Sequence, residues 1–116
     1  MSTITLIGMG RVGTHLLHAL AANGIKVDEV LVRKTDDRIK LAKKYRVKII
    51  EDYSAINRGS NIYILAVPDS AIDSVAKELS KKVGDDALVV HTSGSTPLNI
   101  LGHYFSRYGL FYPLQS

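Results

Sequence analysis

Two hydrophobic periods alternate along the chain, one typical of strands and one typical of helices. Short apolar runs rich in β-branched residues predict strands, and apolar residues three or four positions apart predict amphipathic helices. The predicted strands are residues 3–7, 27–32, 47–50, 62–67, 87–91 and a sixth from 110 onward. The predicted helices are residues 12–22, 36–45, 72–79 and 98–108, with one further helical turn at 54–58. Regular alternation of this kind predicts an α/β fold with a parallel sheet.

The run at residues 62–67 is apolar at nearly every position, which suits a strand covered on both faces. It ends at Pro68, which cannot donate to a sheet ladder, and Asp69 and Ser70 are predicted to cap the helix that follows. We therefore expect a doubly wound, Rossmann-like parallel sheet in the strand order 3-2-1-4-5-6, with helices on both faces. With 116 residues, a single domain is expected.

The first predicted strand runs directly into Gly8-Met9-Gly10-Arg11-Val12-Gly13, and a helix pattern follows. Gly8 permits a sharp turn, Gly10 leaves the backbone open to a pyrophosphate, and Gly13 allows the helix to pack closely. The amide groups and the dipole of the helix N-terminus would then hold the phosphates. The context favours a dinucleotide-binding loop, although an ordinary glycine-rich turn stays possible from this motif alone.

The end of the second predicted strand indicates which dinucleotide is bound. Proteins of this fold that bind NAD place Asp or Glu there, where it accepts from the ribose 2′-hydroxyl. This chain has Arg33, Lys34 and Thr35 instead. Cations at this position favour a 2′-phosphate, so NADP is the expected cofactor.

Composition and charge narrow the possible functions. The 15 basic and 11 acidic residues give a net charge of +4, and eight of the basic residues fall between positions 33 and 48. This basic stretch is either a solvated helix face or an anion site. Cysteine is absent, which excludes disulfides and thiolate chemistry. Neither a membrane span nor a secretory signal is recognisable, and a cytoplasmic protein without membrane contact is expected.

Few side chains are candidates for acid–base or metal chemistry. His91 and Ser93 follow the fifth predicted strand, near the carboxyl ends where such sheets bind ligands. His91 is a candidate proton donor, although a packing role for it and a turn role for Ser93 stay open. His15 and His18 have a spacing that could ligate a metal, but no further ligand is close in sequence, so no metal site is expected.

Four stretches of the chain resemble a family of oxidoreductases in which a Rossmann-like domain precedes a helical domain of unknown function. They are Ile7–Gly13, Ala66–Asp69, His91–Ser95 and Gly109–Ser116. More distantly, the chain is similar to the coenzyme domains of pyrroline-5-carboxylate reductase, the deazaflavin-dependent NADP reductases, and the 6-phosphogluconate and prephenate dehydrogenases. The abrupt end after Gln115 and Ser116 leads us to expect the N-terminal part of a longer protein.

The resemblance implies how NADP would be bound. Gly8 to Val12 would contact the pyrophosphate, Arg33 to Thr35 the ribose phosphate, and Val67 and Pro68 the nicotinamide half. It also implies hydride transfer to or from a small carbonyl or imine substrate, and a homodimer formed through the helical domain. Self-association of the domain itself is the other route to a homodimer that we expect. The isolated domain is expected to bind cofactor without turnover. A non-catalytic nucleotide-sensing module is the alternative, and nucleic-acid binding is not expected, because the chain has no aromatic platform or reading helix.

Overall fold

The computed structural model describes residues 3–8, 10–32, 36–84, 86–92 and 99–111, although the side chains of residues 36–39 are outside this description. Its strands are β1 (Ile4–Ile7), β2 (Glu29–Leu31), β3 (Lys48–Ile50), β4 (Ile62–Leu65), β5 (Leu88–His91) and β6 (Arg107–Leu110). Its helices are α1 (Arg11–Ala22), α2 (Asp36–Lys44), α3 (Asp69–Ser80) and α4 (Asn99–Gly102), with a 3-10 helix at Tyr53–Ala55.

All six strands form one parallel sheet in the order β3-β2-β1-β4-β5-β6, as the sequence predicted. The strand order reverses between β1 and β4, where Ile7 is paired with Leu65. The crossovers after β1 and β4 run in opposite directions from this point. Open α/β sheets bind their ligands in the crevice that such a reversal creates at the carboxyl ends of the strands.

Side chains alternate between the two faces of the sheet and build two separate cores. Leu6, Val30 and Ile64 project to the face that α1 and α2 cover, where Leu16 and Leu17 pack on them. Residues of the opposite face pack with α3 and α4 through Ile7, Tyr63, Leu65, Ile72 and Leu101. Burial of β1 and most of β4 on both faces explains why their sequences are apolar at nearly every position.

The prediction for the end of the chain was wrong in its details. In place of a helix over residues 98–108, α4 covers only Asn99–Gly102, and β6 begins at Arg107. Gly109, which was expected to end a helix, instead lies in β6 opposite Val90. Tyr108 packs on Gly102, where an added Cβ would lie 2.9 Å from the Tyr108 ring. The chain therefore turns back at once and pairs Tyr108 with Val89 in the sheet.

Candidate functional site

The glycine-rich turn between β1 and α1 forms the centre of the candidate site. Gly8 has a φ of 100°, a conformation that glycine adopts without strain. A Cβ there would overlap the carbonyl group of Ala66, which directly follows β4. At Gly13 a Cβ would lie 2.5 Å from the carbonyl oxygen of Gly8. These two glycines thus allow β1, α1 and the end of β4 to meet closely.

Gly10 differs from both of these glycines, because a Cβ placed on it would meet no heavy atom within 4 Å. Packing within the described residues therefore does not require glycine at this position. Gly10 is the N-cap of α1 and supplies no side-chain hydrogen bond, and the first turn of the helix contains no acidic residue. Among the described residues, the first intrahelical bond joins the Thr14 amide to the Gly10 carbonyl at 2.9 Å. Amides in the first turn of a helix generally lack an intrahelical acceptor. An open backbone beside such amides fits an anionic group such as a pyrophosphate.

The remaining residues predicted for the cofactor surround this turn where they are described. Arg11 and Val12 are exposed at the start of α1. Val67 is half-buried, and its Cγ1 would lie 3.0 Å from a Cβ at Gly8. Pro68 is exposed and forms the N-cap of α3, so the predicted cap at Asp69 and Ser70 was wrong, and Asp69 is instead the first residue of that helix.

The end of β2 lies beside the same turn. The Gly8 amide donates to the Leu31 carbonyl at 2.9 Å, and the Val32 amide donates to Ile50 of β3 at 3.0 Å. Arg33, Lys34 and Thr35 follow immediately, but they lie outside the described residues, as do Met9 and Ser93. The structure thus brings the end of β2 to the glycine-rich turn and leaves the contacts of those five side chains as predictions.

His91 is the last residue of β5, where it is paired with Leu65 of β4 and Leu110 of β6. Its side chain is only 1% exposed. Burial holds the pKa of the imidazole below its usual value, because the charged form loses its hydration, and the negative charge of Asp69 partly opposes this shift. The sequence analysis missed this influence of Asp69. Asp69 comes four residues after Leu65, the strand partner of His91, so its influence depends on the pairing of β4 with β5.

The two histidines of α1 are not brought to a shared ligand set. The Nδ1 of His18 is hydrogen-bonded to the Tyr45 hydroxyl at 2.7 Å, and the two rings meet edge to face. Among the residues that the structure describes, no three His, Asp or Glu side chains gather closely enough to hold a metal ion. The same part of the chain contains no helix that is long and apolar enough to cross a membrane.

The fold and the glycine-rich turn define a domain of the Rossmann type. Residues 3–94 match the family described as NADP oxidoreductase, coenzyme F420-dependent, and the chain belongs to that family. The domain is therefore an NAD(P)-binding domain of an oxidoreductase family, which confirms the class predicted from the sequence.

Known proteins extend this likeness over nearly the whole chain. A Bacteroides fragilis protein regarded as an NADP oxidoreductase has a structure that matches 99% of the chain at 32% identity, with a TM-score of 0.87. Pyrroline-5-carboxylate reductase from Coxiella burnetii matches 90% of the chain at 23% identity and a TM-score of 0.77, which shows a shared fold. The match covers 40% of the length of the reductase.

Glycerol-3-phosphate dehydrogenase [NAD(P)+] from Staphylococcus aureus (strain USA300 / TCH1516) is 30% identical to the chain, in an alignment that covers 80% of the chain. The chain spans 32% of that relative and 45% of the Bacteroides protein. The likeness therefore concerns the dinucleotide-binding part of longer enzymes.

Proposed function

We propose that the domain binds NADP(H) on the N-terminus of α1 and serves hydride transfer between the nicotinamide and a small carbonyl or imine substrate. The observation that carries this proposal is the open backbone at Gly10 beside the first amides of α1, which Gly10, as the N-cap, has no side chain to cap. Membership of an oxidoreductase family supports the reaction class. The substrate and the reaction itself remain part of the proposal, since the relatives are more than twice as long as this chain.

The residues of the turn would hold the pyrophosphate. The backbone amides of residues 9–12 and the positive end of the α1 dipole favour two negative charges, and Gly10 lets those charges approach. Gly13 would contribute by keeping α1 close to the Gly8 carbonyl. We place the nicotinamide half along Val67 and Pro68, because these residues follow β4 on the other side of the crevice.

NADP rather than NAD is proposed from the residues that follow β2. In NAD-binding members of this fold, a carboxylate near this strand end accepts from the ribose 2′-hydroxyl. Here Val32 closes the β2–β3 pairing, and Arg33, Lys34 and Thr35 come next. Two cations and a hydroxyl would bind a 2′-phosphate through charge-assisted hydrogen bonds, whereas a carboxylate would repel it.

His91 and Ser93 are the proposed proton-handling residues. Because burial lowers the pKa of His91, its imidazole is neutral near pH 7. A neutral imidazole at this position would accept the hydroxyl proton of a substrate alcohol, and a bound nicotinamide cofactor would supply the hydride chemistry. In the reverse direction the same ring returns the proton to the reduced oxygen or nitrogen. Ser93 would relay this proton or orient the substrate.

We also propose that the domain works within a homodimer, with further chain completing the substrate site. Two apolar side chains of the edge strand β6 support this proposal, since Tyr108 is 39% exposed and Leu110 is 36% exposed. Leu110 is paired with His91, so this apolar surface begins next to the proposed acid–base residue. The apolar surface is also expected to extend beside Tyr112, which lies outside the described residues. Without such a cover the domain is expected to bind cofactor and to reduce no substrate.

Titration of NADPH and NADH into the purified domain tests the cofactor proposal. One charged hydrogen bond from Arg33 would favour NADPH by roughly 10- to 150-fold. Arg33→Asp should weaken NADPH and leave NADH unchanged or improved, because a carboxylate repels the phosphate but accepts from the ribose hydroxyl.

Two further variants separate the phosphate site from general charge effects. Gly10→Asp should weaken both cofactors alike, since it obstructs and repels the shared pyrophosphate. Arg58→Asp is the matched control, because Arg58 is an exposed cation in the loop before β4, and it should leave both affinities within about twofold. Equal affinity of the unmutated domain for NADPH and NADH would refute the role of Arg33, and binding of neither would refute the cofactor site.

A further inference from the structure

A second concave surface lies at the opposite end of the sheet from the glycine-rich turn. It is an open groove of about 240 Å³ between the C-terminus of α1, the loop to β2, and Tyr45 after α2. Leu17 and Val27 form its buried floor, while Ile25, Lys26 and Tyr45 form its walls. Small-molecule sites usually enclose roughly 300–1,000 Å³, so the groove is too small for a dinucleotide and suits one or two side chains.

The wall formed by the end of α1 is held rigidly by the backbone. The Gly24 amide donates to Ala21 at 3.1 Å, and the Ile25 amide donates to Leu20 at 2.9 Å. Gly24 itself has a φ of 73°. This is the Schellman pattern of a helix C-terminus, and it fixes the residue after the glycine against the last helical turn. Ile25 is nevertheless 42% exposed, so a large apolar side chain is held at the mouth of the groove.

Two contacts fix the opposite wall to α1 and to the loop. The Tyr45 hydroxyl is bonded to His18 of α1 at 2.7 Å, and Lys26 donates from Nζ to the Arg46 carbonyl at 3.0 Å. Arg46 has a φ of 57°, which is uncommon for a residue other than glycine, and the Lys26 contact helps to hold it. A groove with both walls fixed loses little conformational entropy when a ligand enters it.

The rim of the groove is positively charged. Lys26 lines it, the Nζ of Lys44 lies 5.5 Å from the centre of the Tyr45 ring, and Arg46 follows Tyr45 directly. Within the described residues none of these three cations is in an ion pair. The carboxylate of Asp28, two residues after Lys26, is directed to β1, where its Oδ2 accepts from the Ile4 amide at 2.8 Å. The uncompensated charge therefore favours an anionic ligand.

We propose that this groove binds an acidic segment of a partner protein, which inserts one aliphatic or aromatic side chain between Ile25 and Tyr45. Its carboxylates would lie beside Lys26, Lys44 and Arg46. The apolar volume admits one anchoring side chain, and the rim provides the charge complement, which together give the usual arrangement of an apolar anchor inside a polar rim. The site is independent of the proposed cofactor, because it lies at the other end of the strands.

A labelled peptide tests the proposal directly. The probe is fluorescein-labelled Asp-Glu-Asp-Phe-Glu-Asp, titrated with the 116-residue chain and followed by fluorescence anisotropy. We expect saturable binding of this Phe peptide. A matched peptide with Ser in place of Phe should bind about fivefold more weakly, because the apolar anchor is lost. Ile25→Ser should weaken the Phe peptide by about fivefold and leave the Ser peptide nearly unchanged.

Charge-reversal variants locate the acidic contacts. Lys26→Glu should weaken the Phe peptide by about three- to tenfold. Lys77→Glu is the matched control, because Lys77 is exposed on α3, which covers the opposite face of the sheet, and it should change the affinity less than twofold. Thermal midpoints and NADPH affinity of each variant show that the fold and the cofactor site are intact.

Several outcomes would overturn the proposal. Equal weakening by Lys26→Glu and Lys77→Glu would mean that only net charge attracts the peptide. An unchanged affinity of the Ile25→Ser variant would mean that the groove holds no anchor. A single-stranded oligothymidine that bound more tightly than the Phe peptide and lost affinity with Lys26→Glu but not with Ile25→Ser would identify a nucleic-acid surface instead.

Discussion

The backbone of Gly13 packs against that of Gly8, so closely that a Cβ on Gly13 would lie 2.5 Å from the Gly8 carbonyl oxygen. This carbonyl belongs to the turn that ends β1, and Gly13 is a buried residue of α1. The contact therefore sets the distance between the helix and the sheet. Gly10, three residues earlier, has no such neighbour.

The first prediction contrasts these two glycines. Gly13→Ala should lower the free energy of unfolding by about 1–3 kcal/mol, because the added methyl group must displace backbone atoms. Gly10→Ala should leave the stability within about 0.5 kcal/mol, since its φ is −68° and the methyl group projects into open space. Urea denaturation followed by circular dichroism measures both values.

Cofactor titration completes this comparison. Gly10→Ala should weaken NADPH and NADH together, because the methyl group occupies the space proposed for the pyrophosphate. Suppose instead that Gly10→Ala destabilised the fold as much as Gly13→Ala and left both affinities unchanged. Gly10 would then be required for packing, and the open backbone at Gly10 would bind no pyrophosphate.

The second prediction concerns the buried hydroxyl of Tyr63. This hydroxyl accepts from the Ser60 amide at 3.1 Å and donates to the Asn57 carbonyl, so it anchors the loop that precedes β4. Tyr63→Phe should lower the free energy of unfolding by about 1–3 kcal/mol, because the buried Ser60 amide loses its partner. Chemical denaturation is the measurement.

Tyr104 offers the matched control for this substitution. Its hydroxyl also makes a hydrogen bond, to Oδ1 of Asp73 at 2.9 Å, but this bond is exposed to solvent. Tyr104→Phe should therefore cost less than about 1 kcal/mol, since water can replace the lost partner. Equal losses for the two variants would contradict the argument from burial.

The same loop is held by a second buried group. One carboxylate oxygen of Glu29 accepts from the Thr5 hydroxyl and from the Asn57 amide, each at 2.8 Å. Glu29→Ala should also destabilise the fold, by about 1–3 kcal/mol, because the Asn57 amide loses its acceptor and the buried Thr5 hydroxyl keeps only its contact with the Ser60 hydroxyl. Glu29→Gln, which keeps an acceptor oxygen, should recover more than half of this loss when measured by the same denaturation experiment.

The sheet order could be predicted from the sequence because each strand of the core is an apolar run bounded by turn residues. The glycine motif could be assigned because its three glycines have different physical roles. The structure shows a different close contact at Gly8 and at Gly13 that requires glycine there. By contrast, residues 98–108 combine a helical spacing of apolar residues with a strand that is partly exposed. The spacing of apolar residues alone did not show where the helix ends and the strand begins. Pairing with β5 decides the conformation of Tyr108 and Gly109.

The candidate site was predictable only where a backbone requirement is visible in the residue type. The influence of Asp69 on His91 depends on the pairing of β4 with β5, which no local pattern reveals. The buried cluster of Thr5, Glu29 and Tyr63 was missed for the same reason, since its members come from three different strands. Polar residues inside a strand pattern carry no indication of their partners.

The last prediction concerns the dependence of stability on pH through His91. Because burial lowers the pKa of this imidazole in the folded state, the unfolded chain binds a proton more readily between the unfolded value near 6.5 and the lower folded value. The contribution of His91 to stability is therefore fully present above about pH 6.5 and is lost as the pH falls through this window.

Two variants isolate this effect from the other titrating groups. His91→Gln should reduce the slope of unfolding free energy against pH below about pH 6.5. This change in slope is expected whatever the effect of the substitution on stability at pH 7. Asp69→Asn should lower the folded pKa of His91 further, because it removes the charge that favours the imidazolium, and NMR titration of the ring resonances measures this shift. A His91 resonance that titrated at or above 6.5 in the unmutated domain would show that burial does not control this group, and the proposed neutral proton acceptor would then be lost.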